Sequence, residues 1–144
     1  MSLASLFSGL ALANAGLGAV HGIAGPLGGM IEGAHGALCA RLLPMVVETN
    51  LAALTRDGAG GNVKERYAEA SRMVLGSSRA TASDLAAWLH RLVSALEIPP
   101  LSRWGLTADK VPALVAKSRA ASSMRGNPVR LTDAELTAVI EQAL

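Results

Sequence analysis

The first thirty-one residues, Met1 to Ile31, contain no Asp, Glu, Lys or Arg. A run of that length without charge must either cross a bilayer or bury itself in a protein core. Its composition argues for the core. The run carries seven glycines, Pro26, Asn14, His21 and several serines, and each glycine weakens a helix by up to ~1 kcal/mol relative to alanine. No basic residue precedes it, so it has neither the n-region of a signal peptide nor the flank of an oriented span. The Gly18–Gly22 spacing permits close backbone approach in a lipid or a protein setting alike. The expectation is a glycine-rich helical segment buried in a soluble, non-membrane protein.

The rest of the chain reads as helices. Aromatic residues make up only 3% of the 144 residues, while Ala, Leu and Gly dominate, a mixture that suits close-packed helices and not sheets. The spacing predicts one or two helices over 3–25, broken at Pro26-Leu27-Gly28-Gly29, and another from about Ala34 through Leu38, Leu42, Val46 and Leu51. Pro44 should kink that helix or tighten a turn. Asp57 to Asn62 reads as a loop, Val63 to Leu75 as a helix ended by Gly76, and Leu85, Leu89, Leu92 and Leu96 as one face of the next. Three threonines, Thr81, Thr107 and Thr132, stand where helices should begin; Thr81-x-x-Asp84 and Thr132-x-x-Glu135 have capping-box spacing. The fold class that follows is all-α, a bundle of about five to seven helices without a sheet, one domain over 1–144.

Charge excludes one class of partner. The formal net charge is +2, and Lys and Arg are scattered from Arg41 onward among acidic residues, so there is no footprint for nucleic acid. The single cysteine, Cys39, forms no internal disulfide, which fits a cytoplasmic protein.

His21 and His35 lie fourteen residues apart with a Pro-Gly-Gly break between them. If one helix ends near Gly25 and the next starts near Ala34, both rings can enter one crevice. Imidazole suits Zn²⁺ or Fe²⁺. Read alone, the pair serves equally well as core or capping residues. Cys39, one turn after His35, is expected to be a buried structural cysteine although it could face the same crevice. His90 is expected on a helix surface.

Several stretches in order resemble the iron-containing (group III) alcohol dehydrogenases. The segment from Asn14 through Gly16-Leu17-Gly18, His21, Leu27-Gly28-Gly29 and His35-Gly36 to Leu42-Leu43-Pro44 is similar to that family's N-x-G-L-G-x-x-H-x-x-A-H-x-L-G-[GA]-x-x-x-x-P-H-G and its downstream L-L-P. Ile98-Pro99-Pro100-Leu101, Trp104-Gly105-Leu106 and Val111-Pro112-Ala113-Leu114 resemble its G-I-P…L…G-V…D-I-P-A-L segment, and Asn127-Pro128 with Thr132 and Glu135 its N-P-x-x-x-T-x-x-D. The resemblance implies the C-terminal helical domain of the dehydroquinate synthase-like fold. It also implies an Fe²⁺ or Zn²⁺ ion held in part by His21 and His35, and a small alcohol, aldehyde or ketone exchanging hydride with NAD(P) in the full-length enzyme.

The chain departs from the family in three respects. It has no glycine-rich dinucleotide-binding turn and no Asp-x-x-x-His pair, so it reads as a C-terminal piece with two of four expected ligands. Gly25 stands where the family's pattern has a second histidine, and Ala34 replaces a proline. By itself the piece is expected to be inactive, to hold no cofactor tightly, and to form a homo-oligomer that covers Leu3, Leu6, Phe7 and Leu10. Within the superfamily a maleylacetate reductase is an alternative, and outside it a non-catalytic helical interaction module.

Overall fold

The computed structural model describes residues 2–58 and 60–144, and among them there are helices and no strands. In chain order these are α1 (Ser2–Ala15), α2 (Ala19–Gly28), α3 (His35–Arg56), α4 (Gly61–Leu75), α5 (Ala82–Ala95), α6 (Val111–Ala120) and α7 (Asp133–Ala143). Short 3-10 turns at Leu101–Trp104, Ala108–Lys110 and Ser122–Gly126 join the later ones.

The twenty-two-residue α3 is the axis of the molecule. It packs against α2, α5 and α7; α4 lies on α5, and α6 lies on α2 and α7. Its two faces serve two cores. One holds Leu38, Leu42, Met45 and Val46 against Ile23 and Leu27 of α2, Leu114 of α6 and Leu136 and Ile140 of α7. The other holds Val47 against Leu85, Ala86 and Leu89 of α5, with Tyr67 and Trp88 at its edge. Helix α3 is also long and apolar enough to cross a membrane by length and composition, and half of that stretch is buried against its neighbours. It runs helical through Pro44, which is fully buried; that proline has no N–H for the Ala40 carbonyl.

The charge-free run is not one helix. Helices α1 and α2 meet at 99° across Gly16-Leu17-Gly18, so the run takes the two-helix form of the expectation, and the expected break at Pro26-Leu27-Gly28-Gly29 is where α2 ends. Gly16 adopts φ +71°, a left-handed conformation that ends α1 at no steric cost only for glycine. Pro26 lies inside α2, near its end, and the helix closes at Gly28-Gly29. Proline in a helix interior costs a hydrogen bond and crowds the preceding turn; the sequence pattern shows the proline but not how much helix survives around it.

The capping expectations divide. Thr81 and Thr132 each form a capping box: the Asp84 carboxylate accepts from the Thr81 N–H at 2.7 Å, and Glu135 accepts from the Thr132 N–H at 2.7 Å. Thr107 instead precedes the 3-10 turn Ala108–Lys110, and α6 begins after it at Val111, with Pro112 in its first turn. The guanidinium of Arg56, the last residue of α3, pairs with Glu135 and ties the end of that helix to the start of α7.

Candidate metal centre

The site forms where the start of α2 meets the start of α3. Helix α2 has no side-chain cap of its own, because Gly18 supplies none. The cap comes from far along the chain: Asn127 Oδ1 accepts from the Ala19 N–H at 3.0 Å. That approach needs small residues on both sides. A Cβ on Gly126 would collide with the Leu17 carbonyl oxygen, and one on Gly18 would sit 3.1 Å from Asn127 Oδ1. Asn127 is itself locked, donating at 2.8 Å to Asn50 Oδ1 and at 2.7 Å to the Val129 carbonyl. Asn50, buried in the middle of α3, donates in turn to Tyr67 Oη at 3.2 Å. Polar atoms buried this way must be paired, and here each link fixes the next.

This bracing positions His21, in the first turn of α2, beside His35, the first residue of α3. The ring centroids are 5.4 Å apart at an interplanar angle of 54°. Cys39, one turn into α3, brings its Sγ to 3.5 Å from His35 Nε2. One ligand atom from each of the three lies within 4.8 Å of the others. His21 and Cys39 are half-buried and His35 is exposed, so the cluster opens to solvent on one side. On the other side lies a groove of about 500 Å³ shared by His21 and Cys39 with Leu43, Val46, Tyr67 and Pro128.

The electrostatics favour the uncharged forms of His21 and Cys39. Partial burial, and then the neighbouring His35, hold the His21 imidazole below its ordinary range. A neutral ring keeps the lone pair that a metal requires. Burial pushes the Cys39 thiol up. It raises the Tyr67 hydroxyl too, against the hydrogen bond from Asn50.

The structure thus brings both sequence-predicted histidines together. Cys39 is not the buried structural cysteine expected: the helical step from His35 carries it onto the same face and into the cluster. His90 is on a surface as expected and has a partner, the Glu48 carboxylate at 3.0 Å. A Cβ at Gly25, one turn beyond His21, would meet nothing within 4 Å, so the place of the family's second histidine is open space. The sequence reading missed the Asn127–Asn50–Tyr67 brace. Its visible signal is Asn127, which the motif resemblance singles out; nothing local marks Asn50 or Tyr67 as its partners.

Comparison with known proteins gives the family. A model of the "Fe-containing alcohol dehydrogenase family, C-terminal" matches residues 1–144. Alcohol dehydrogenase 4 of Saccharomyces cerevisiae is 30% identical over 144 residues, covering 99% of this chain and 36% of that protein. The 1,3-propanediol dehydrogenase of Klebsiella pneumoniae is 31% identical over 149 residues, covering 99% and 36%, and lactaldehyde reductase of Escherichia coli 33% over 141, covering 92% and 34%. The crystal structure of a 1,3-propanediol oxidoreductase superimposes with a TM-score of 0.81 at 30% identity, covering 98% of this chain and 36% of that one. The chain spans about a third of the length of the curated relatives it matches. It belongs to the iron-containing alcohol dehydrogenase family, to whose C-terminal, all-helical part it corresponds.

Proposed function

We propose that this chain is the helical, metal-holding part of a cytoplasmic, NAD(P)-dependent alcohol dehydrogenase, in which His21 and His35 are two of the ligands of a catalytic Fe²⁺ or Zn²⁺. The juxtaposition of the two imidazoles at the meeting of α2 and α3 carries this reading. The dinucleotide-binding half and the family's Asp-x-x-x-His pair fall outside these 144 residues, in keeping with the share of each relative that the chain covers. The relatives are named as alcohol, propanediol and lactaldehyde oxidoreductases, so the substrate class proposed is a small alcohol or its aldehyde or ketone.

The donor set fits the group. Two imidazole nitrogens within 4.8 Å of one another suit a borderline divalent ion, and two histidine ligands leave positions free for other donors and for substrate. When bound, such an ion supplies Lewis acidity at a substrate oxygen. The chain's own residues do the positioning. Asn127 fixes the start of α2 and so the place of His21, while Leu38 and Leu42, buried in the core, fix α3 and so the place of His35. Leu43, Val46 and Tyr67 line the groove beside His21 and give it an apolar wall. With Gly25 in place of the second family histidine, no side chain of α2 one turn beyond His21 is available to carry a proton.

The test is metal content and turnover in the enzyme that carries this chain joined to its nucleotide-binding half. His21→Ala and His35→Ala should each abolish metal retention and hydride transfer. Full metal content and full turnover in both variants would overturn the reading.

A further inference from the structure

The family resemblance supplies a use for two of the three donors in the cluster. The third, Cys39, has no place in the resemblance; it is half-buried at the edge of the core and turns its sulfur toward His35. Its Sγ lies 3.5 Å from His35 Nε2. An ion held tetrahedrally at ~2.05 Å from a nitrogen and ~2.3 Å from a sulfur separates those two atoms by about 3.5 Å. The observed spacing is therefore the bite of a chelate formed without moving either side chain. His21, the third corner, brings its ligand nitrogen within 4.8 Å of both. Residues i and i+4 of one helix present their side chains in this way on a single face, which makes His35-x-x-x-Cys39 a rigid two-toothed clamp.

We propose that Cys39 is a third metal ligand, so that this chain offers a His21–His35–Cys39 set of two imidazoles and one thiolate. The inference rests on the reading of His21 and His35 given above and extends it. Binding replaces the thiol proton by the metal, and the proton passes to solvent through the open side of the cluster. A thiolate adds softness and negative charge, so the set favours Zn²⁺ or Co²⁺ over oxygen-seeking Mg²⁺ or Mn²⁺. A hydrogen bond between the thiol and His35 would account for the same 3.5 Å distance, and the two are separable by experiment because only coordination makes a metal–sulfur bond.

The probe is Co²⁺, added to the intact 144-residue chain under reducing conditions and followed by absorption. Coordination through Cys39 produces a near-ultraviolet sulfur-to-cobalt charge-transfer band together with visible ligand-field bands. In Cys39→Ser the near-ultraviolet band should vanish while the visible bands persist. The affinity should fall by at least the roughly 10–100-fold that loss of a supporting partner costs a metal site. Far-ultraviolet circular dichroism of the variant checks that the bundle is retained. Alkylation of Cys39 by iodoacetamide gives an independent readout, and saturating Co²⁺ should slow it at least tenfold, roughly in line with that affinity range. Visible bands without the near-ultraviolet band, and alkylation indifferent to Co²⁺, would overturn the inference while leaving the histidine pair standing. So would an absence of cobalt binding by the chain. A near-ultraviolet band that survives both His21→Ala and His35→Ala at unchanged affinity would instead overturn the reading of the histidines.

Discussion

Helices α1 and α2 come from the same charge-free run, are similarly apolar, and have opposite fates. Every described residue of α1 is exposed: Leu3, Leu6, Phe7 and Leu10 are 51–63% accessible. In α2, Ile23, Ala24 and Leu27 are fully buried. Composition does not separate them; partners do. Helix α2 lies against α3 and α6, and its first N–H is bonded by Asn127, whereas α1 makes no substantial packing contact with any other helix. Apolar character supplies the drive to be buried, and only a complementary surface decides which residues are. The site follows that division, since both imidazoles stand on braced helices and none on α1.

The largest effect expected is in α2. Leu27→Ala should destabilise the bundle by ~2–5 kcal/mol, the range for a buried leucine that leaves a cavity. Chemical denaturation measures it, and a loss below ~1 kcal/mol would mean that α2 is no more integrated than α1.

Next comes the brace. Asn127→Ala removes the bond to the Ala19 N–H and strips Asn50 of a partner, leaving buried polar groups unpaired at ~1–3 kcal/mol. Protection of the Ala19 amide from hydrogen exchange should fall with it. Unchanged exchange would show that α2 starts without help from Asn127.

Farther from the site, Thr132→Ala should cost ~1 kcal/mol by removing the α7 cap. The carboxyls of both capping boxes lie below their usual range: Asp84 chiefly through the Thr81 N–H, and Glu135, against the cost of its partial burial, through the Thr132 N–H and the Arg56 guanidinium. Depressed carboxyls contribute stability above their unfolded values and lose it as pH falls through the folded ones. Stability should therefore decline below about pH 4, the usual carboxyl range, and the decline should be shallower in Glu135→Gln than in the parent. An acid limb of equal steepness in both would remove Glu135 from the account.

The smallest effect on stability is expected in α1, where Leu6→Ala should stay within about 0.5 kcal/mol. Its consequence is association. Leu6→Glu with Leu10→Glu should move the chain toward monomer in light scattering after size exclusion, since an apolar face of this size is seldom left open to water. A parent chain that is monomeric at all concentrations would contradict this.

Much of the fold is legible in the sequence because its signals are local. Ala34 before His35, the Thr81 and Thr132 boxes and the leucine spacing of α3 and α5 each depend on neighbours within a turn or two. What the sequence leaves unlocated is set by distant contacts. The break at Gly16–Gly18 depends on Asn127 and Gly126, more than a hundred residues away, and Pro26 stays helical within packed surroundings. The histidine pair was legible through motif resemblance, since spacing alone leaves a core role open. Cys39 was visible only as a helical step from His35; its entry into the cluster depends on how α3 is rotated by the core beneath it.

The central claim is that α2 and α3 aim His21 and His35 at one ion, and the most direct measurement is a crystal structure of the chain grown with Zn²⁺, with the metal located by its anomalous scattering. The account predicts a peak ~2.0–2.1 Å from one nitrogen of each ring. A zinc ion bound elsewhere while both rings face one another empty, or rings turned apart onto separate partners, would contradict it.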